Sequence, residues 1–188
     1  TFSRSTTASA RVHDEALVQN PGWSTVRPWA EPGGTGSCPW PTGRMRVMAL
    51  DELYQRVILD HNRAPQNRRE LPRATHRARG LDALCGDDLV IELALDDGRI
   101  ADAAWHGEAC AVTTASASML TEWLRGRSAD ALVDQAERFR SLLEDSALPD
   151  APELNEINNL RAVSKFPSRV RNALLPWETA LDALRATR

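Results

Sequence analysis

Two thiols and a carboxylate are spaced so that they can meet. Cys85-Gly86-Asp87 lies just before an alternating apolar run, and Cys110 lies just after a second run able to fold back along the first. If the two runs form one β-hairpin, its feet bring Cys85, Asp87 and Cys110 together. A thiolate is the species that binds metal or attacks sulfur, and a helix N-terminus favours it. Two sulfurs and one carboxylate oxygen suit zinc or iron and exclude a magnesium or calcium site, which takes mostly oxygen. Asp87 follows Cys85 by two residues, so on an extended backbone both side chains face one way. Gly86 between them allows close approach or an unusual backbone angle. No cysteine lies downstream of Cys110, so the set is one protein ligand short of a closed tetrahedron. A second reading stays open here: cysteine is among the most often buried residues, and two on neighbouring strands can simply fill core.

Other chemistry-bearing residues fall away. His106-Gly107-Glu108 matches the H-x-E of zinc deaminases, but the P-C-x-x-C those enzymes need downstream is missing. His61 and His76 read as surface or capping residues, no serine sits in a nucleophile-elbow pattern, and no well-placed general base accompanies the cysteines.

The elements that must position the three residues are legible in outline. From Leu50 the spacing is helical, with Leu53, Val57 and Ile58 on one face, and predicts a helix to about Asn62. The basic stretch from Arg63 to Ala83 reads as a loop with a short edge strand. Asp88 to Leu95 alternates as a half-buried strand. Asp96-Asp97-Gly98 then reads as a three-residue loop, and Arg99 to His106 returns as a second strand. That register pairs Leu95 with Arg99, Leu93 with Ala101, Ile91 with Ala103 and Leu89 with Trp105, leaving Glu92, Asp96 and Asp102 on the wet face. A two-residue loop would turn Asp102 inward, so the apolar pattern selects the longer one. Carried to the foot, the register sets Cys85 opposite Ala109.

After Cys110, a helix carrying Ala115, Met119, Leu120, Trp123 and Leu124 is predicted to stop at Gly126. Ser128 caps another through Leu143, ended by Pro149 and Pro152. A last helix from Pro167 carries Val170, Leu174, Trp177, Leu181 and Leu184. The predicted architecture is α+β: a small antiparallel sheet with helices packed on one face, in a single domain over 48–188.

Residues 1–47, rich in Ser, Thr, Gly and Pro, are expected to be a disordered extension, with Met45 or Met48 as candidate native starts. Its Trp23, Trp29 and Trp40 would be unusual in a plain linker. A net charge of −3 gives no electrostatic footprint for nucleic acid. No apolar run reaches the roughly 20 residues that cross a bilayer, and the expectation is a cytoplasmic protein without membrane contact. Three cysteines, Cys38 included, make a disulfide framework improbable.

The motifs together resemble a known family. Leu53-Tyr54-Gln55-Arg56-Val57-Ile58-Leu59-Asp60-His61 with Pro65 and Asn67-Arg68, then Cys85-Gly86-Asp87, then Gly107-Glu108-Ala109-Cys110 with Ser116-Ala117-Ser118-Met119, then Val163-Ser164-Lys165-Phe166-Pro167-Ser168-Arg169, resemble the SufU branch of the NifU/IscU iron–sulfur scaffold family. The resemblance spans Leu50 to Ala186. It implies iron–sulfur cluster assembly, as a scaffold or as a zinc-dependent acceptor of sulfur from a cysteine desulfurase, with other assembly proteins as partners. Such a protein is more a scaffold or sulfur-transfer accessory than a turnover enzyme. Carried over by position, Cys85, Asp87 and Cys110 match ligands of zinc, iron or an iron–sulfur cluster, and Cys85 matches the sulfur-accepting cysteine.

Two departures stand out: Ala109 replaces the usual glycine before the second cysteine, and Asn172 stands where the family has its third cysteine. A carboxamide is a poor substitute for a thiolate on zinc or iron. Pro176 would also press on the Asn172 carbonyl in a continuous helix and remove its hydrogen bond. The resemblance therefore also admits a degenerate, metal-free paralogue that binds the desulfurase as a regulatory module.

Overall fold

The structure, a computed structural model, describes residues 55–186. The expected extension over 1–47, Cys38, both candidate starts and the beginning of the first helix lie outside the described residues.

Strands β1 (His76–Asp82), β2 (Asp87–Asp96) and β3 (Arg99–Glu108) form one antiparallel sheet in the order β1-β2-β3. Helix α1 covers 55–63, and α2 (Ala111–Leu124), α3 (Ala129–Glu144) and α4 (Pro167–Arg185) follow the sheet. The architecture is the expected α+β arrangement. Helix α4 lies across β1 and β2, and α2 lies beside it against β3. Leu89, Ile91 and Leu93 of β2 project into this layer fully buried, with Trp105 and Ala103 from β3.

The β2–β3 hairpin corrects the predicted register. Asp96 pairs with Arg99, so the loop is the two residues Asp97 and Gly98, with φ of 46° and 74°. Positive φ at both central positions matches strand twist, and Asp-Gly is a favoured pair for it. The ladder then slips: Leu95 pairs with Ile100, but Ala94 pairs with Asp102, leaving Ala101 as an extra residue. That bulge resets the alternation, so Ile100, Ala103 and Trp105 all reach the core while Ala101 stays exposed. Of the residues the predicted register turns inward, Leu89, Ile91, Leu93, Ala103 and Trp105 are buried, but Ala101 is exposed and Ile100 is buried in its place. The partners differ too: Leu93 faces Ala103, Ile91 faces Trp105 and Leu89 faces Gly107.

Glu92 is a second correction, because it is fully buried. The chain between α1 and β1 crosses the outer face of the sheet, where Leu71 and Ala74 cover Ala104 in a small second core. Trp105 N–H donates to the Asn67 carbonyl at 3.1 Å and Arg69 N–H to the Trp105 carbonyl at 2.9 Å, which ties this strap to β3. Glu92 Oε2 accepts the Leu71 N–H at 2.6 Å, and the Arg77 guanidinium pairs with Oε1. Alternation reports which side a residue faces, and a loop far away in sequence decides whether that side is wet.

His61 is likewise not a surface residue: it is 9% exposed and its Nδ1 lies 2.8 Å from the Ser118 hydroxyl. Ser128 caps α3 as expected, its hydroxyl accepting from Ala131 N–H at 3.2 Å. That helix ends at Glu144, well before Pro149, and a 3-10 run over Pro152–Lys165 fills the interval to α4. Trp177 of α4 stacks on Phe139 at 4.9 Å and meets Trp123 at 5.9 Å, joining three helices in the core.

Candidate functional site

The three sequence-selected residues converge at one end of the sheet, from three different local structures. Asp87 opens β2. Cys110 is the N-cap of α2. Cys85 does not sit on the β2–β3 ladder as expected, since that ladder ends at the Asp88–Glu108 pair; it lies in the turn joining β1 to β2. Gly86 makes that turn with φ of 72° and nothing within 4 Å of a would-be Cβ, so its role is backbone conformation and not close approach.

Asp87 is the hub. Its residue is only 2% exposed. Oδ1 accepts the Cys110 backbone N–H at 2.6 Å, and Oδ2 accepts the Thr113 hydroxyl at 2.5 Å and Asn172 Nδ2 at 3.0 Å. A carboxylate has about four acceptor positions, and three are filled. Burial of this charge is compensated by those donors. Thr113 also lies 3.4 Å from Cys110 Sγ.

Asn172 ties the other side together. Its Oδ1 accepts from Cys85 Sγ at 3.3 Å, while Nδ2 faces Asp82 Oδ2 at 3.4 Å as well as Asp87. Helix α4 runs unbroken through Pro176, which has no N–H to give the Asn172 carbonyl; the Thr113 hydroxyl, in the first turn of α2, lies 3.2 Å from that carbonyl. Sequence reading missed Asp82 and Thr113. Asp82 carried a usable signal, being the cross-strand partner of Asp87 across the Cys85 turn. Thr113, three residues after Cys110, carried one only once the helix start was known.

Cys85 is exposed and Cys110 half-buried. Both line a cleft of about 600 Å³ together with Ile58 and Leu59 of α1 and Arg169 and Asn172 of α4. His106 and Glu108 stand apart from it: His106 Nε2 lies 3.8 Å from Glu92 on the strap side, and Glu108 points to solvent near Arg68.

The NifU-like N terminal domain family matches residues 53–173, which includes every residue of this cluster. The chain belongs to that family. Among its relatives in the NifU-like group, the zinc-dependent sulfurtransferase SufU of Bacillus subtilis (strain 168) is 33% identical over 129 residues, covering 69% of this chain and 87% of the relative. The iron–sulfur cluster assembly scaffold protein IscU of Streptococcus pyogenes serotype M1 is 29% identical over 147 residues, 75% of this chain and 88% of that one. The crystal structure of a nitrogen-fixing NifU-like protein (N-terminal) from Brucella abortus has the same fold, with a TM-score of 0.66 at 23% identity over 72% of this chain and 94% of that one.

The NifU-like resemblance implies zinc or iron at Cys85, Asp87 and Cys110, and the donor set does not fit a bound cation in this arrangement. A ligand must turn a lone pair towards the metal. Here Asp87 Oδ2 is turned to two donors, Oδ1 to a third, and the Cys85 thiol to a carboxamide oxygen. Among the described residues, no group of three or more His, Cys, Asp or Glu side chains is arranged to hold a metal ion.

Proposed function

We propose that this protein serves iron–sulfur cluster assembly in the cytoplasm as a sulfur acceptor, with Cys85 taking sulfane sulfur from a cysteine desulfurase. The observation that carries this reading is the placement of Cys85: an exposed thiol in the β1–β2 turn, directly after Leu84, which is 76% exposed, and in a cleft that it shares with Cys110. Leu84 beside the thiol and Leu59 in the same cleft, 76% and 51% exposed, suit transient contact with a partner that must bring its own sulfur within bonding distance.

The step needs no outside oxidant. The Cys85 sulfur attacks the outer sulfur of the donor's persulfide; a new sulfur–sulfur bond forms on Cys85, the donor's sulfur–sulfur bond breaks, and the donor cysteine leaves as a thiolate that takes up a proton. Asn172 Oδ1, which accepts the Cys85 thiol hydrogen, orients the sulfur before attack. The Asp87 cluster holds the turn and the start of α2 in fixed relation, so the product sulfur lies in the same cleft as Cys110. A nascent cluster would be cargo delivered to these two thiols in concert with other assembly proteins.

Incubation with a cysteine desulfurase and cysteine should leave one extra sulfur on Cys85, detected by mass spectrometry of alkylated peptides. Cys85→Ser should abolish the modification and Cys110→Ser should leave it on Cys85. Sulfur found on Cys110 alone, or equal labelling of the Cys85→Ser variant, would overturn the assignment. The Asp87 cluster, with three of its acceptor positions filled, also favours a second reading, a metal-free module that docks on the desulfurase without accepting sulfur. Tight binding without labelling is its signature.

A further inference from the structure

We infer that Asn172 takes the place of a cation at this site: its carboxamide joins Cys85 to Asp82 and Asp87, so that the thiols work without a resident metal. The last clause rests on the sulfur-acceptor reading; the first does not.

Three of the four hydrogen-bonding positions of the side chain are used. One amide hydrogen serves Asp87 at 3.0 Å, the other faces Asp82 at 3.4 Å, and the oxygen accepts from the Cys85 thiol at 3.3 Å. The opposite orientation would set a carbonyl oxygen against two carboxylates, so electrostatics selects this one. Asp82 and Asp87 are cross-strand partners, and like charges directly opposite are destabilising. The Asp82 side chain is 11% exposed; its Oδ1 accepts the Leu84 N–H at 2.8 Å, and an Arg171 guanidinium nitrogen lies 4.0 Å from its Oδ2. The amide N–H groups thus put positive partial charge between two acids, where a bound cation would otherwise offset their repulsion.

Thr113 closes the other route. Its hydroxyl donates to Asp87 Oδ2 at 2.5 Å and lies 3.4 Å from Cys110 Sγ, so a cation bridging that oxygen and that sulfur would have to displace it. An entering cation would have to break the Asn172 bonds and strip donors from a buried carboxylate. A cysteine at 172 would remove both N–H donors and add a third soft, charged ligand.

The test is zinc itself. The protein, expressed in zinc-supplemented medium and purified without chelator, should carry zinc far below one per chain by elemental analysis, and its unfolding temperature should not fall when chelator is added. Asn172→Cys should bind zinc on the order of 100-fold more tightly than the parent, gain a chelator-sensitive unfolding temperature, and show thiolate-to-metal charge transfer when loaded with cobalt(II). Asn172→His supplies a ligand of another shape should the cysteine variant fail to fold. One tightly held zinc per parent chain, lost in Cys85→Ser, would overturn the inference; so would failure of both folded variants to bind zinc better than the parent. Sulfur labelling on the same preparations separates the two ideas. A parent that takes up sulfur while holding zinc refutes the inference alone, and a zinc-free parent that takes up no sulfur refutes the acceptor reading alone.

Discussion

Replacing Asn172 with leucine keeps nearly the same side-chain shape and deletes every polar contact the carboxamide makes. The largest loss is the 3.0 Å bond to Asp87, a charge-assisted bond to a carboxylate on a residue 2% exposed, worth about 1.5–3 kcal/mol. The contacts to Asp82 at 3.4 Å and Cys85 at 3.3 Å are long and together add less than about 1 kcal/mol. Leucine recovers about 1 kcal/mol through apolar burial in a position that is itself 2% exposed. The net cost is about 2 kcal/mol, which lowers the melting temperature by roughly 7 °C and the urea midpoint by roughly 1 M. Trp105, Trp123 and Trp177 supply the fluorescence to follow it. Asp82→Asn added to the leucine variant should return part of the loss, because it relieves two acids left facing one another, and a double-mutant cycle measures the coupling. A leucine variant as stable as the parent, or a cycle with no coupling, would show that the amide is not holding these carboxylates.

Two further expectations concern the parts around the site. Glu92→Leu leaves the Leu71 N–H without its acceptor and Arg77 without its partner, so hydrogen exchange at Leu71 and trypsin cleavage at Arg69 and Arg73 should accelerate about 30-fold; unchanged protection would mean that the strap is held by its apolar contacts alone. The Arg79 guanidinium, hydrogen-bonded to both Asp88 oxygens, holds that carboxyl below the ordinary carboxylate range. A depressed folded-state value stabilises the protein above the ordinary carboxylate pKa, and the contribution disappears as pH falls through the depressed value. Arg79→Gln should move the Asp88 titration, read by NMR, upward towards the ordinary value.

Periodicity and turn chemistry in the chain were enough to place helices, strands and the three candidate residues. Leu89, Ile91 and Leu93 marked the inner face of β2 because side chains alternate strictly along a strand, and Ser128 and Gly126 marked helix ends because orphan backbone groups at those ends need particular partners. The hairpin register escaped because two rules competed. Alternation favoured a longer loop, Asp97-Gly98 favoured a two-residue turn, and a bulge at Ala101 satisfied both. The burial of Glu92 escaped because the strap that covers it carries no strong period of its own.

At the site, residue type and hairpin spacing determined that Cys85, Asp87 and Cys110 could share chemistry, and the family resemblance marked Asn172 as the break in the ligand pattern. Tertiary structure decided what the break means. Asp82, Thr113 and Asn172 come from a strand, a helix start and a distant helix, and only their packing turns an apparent missing ligand into a donor to the buried carboxylate. The physical reason is that donor type is a local property of a residue, whereas which donor a buried acceptor has already spent its lone pairs on depends on every element packed around it.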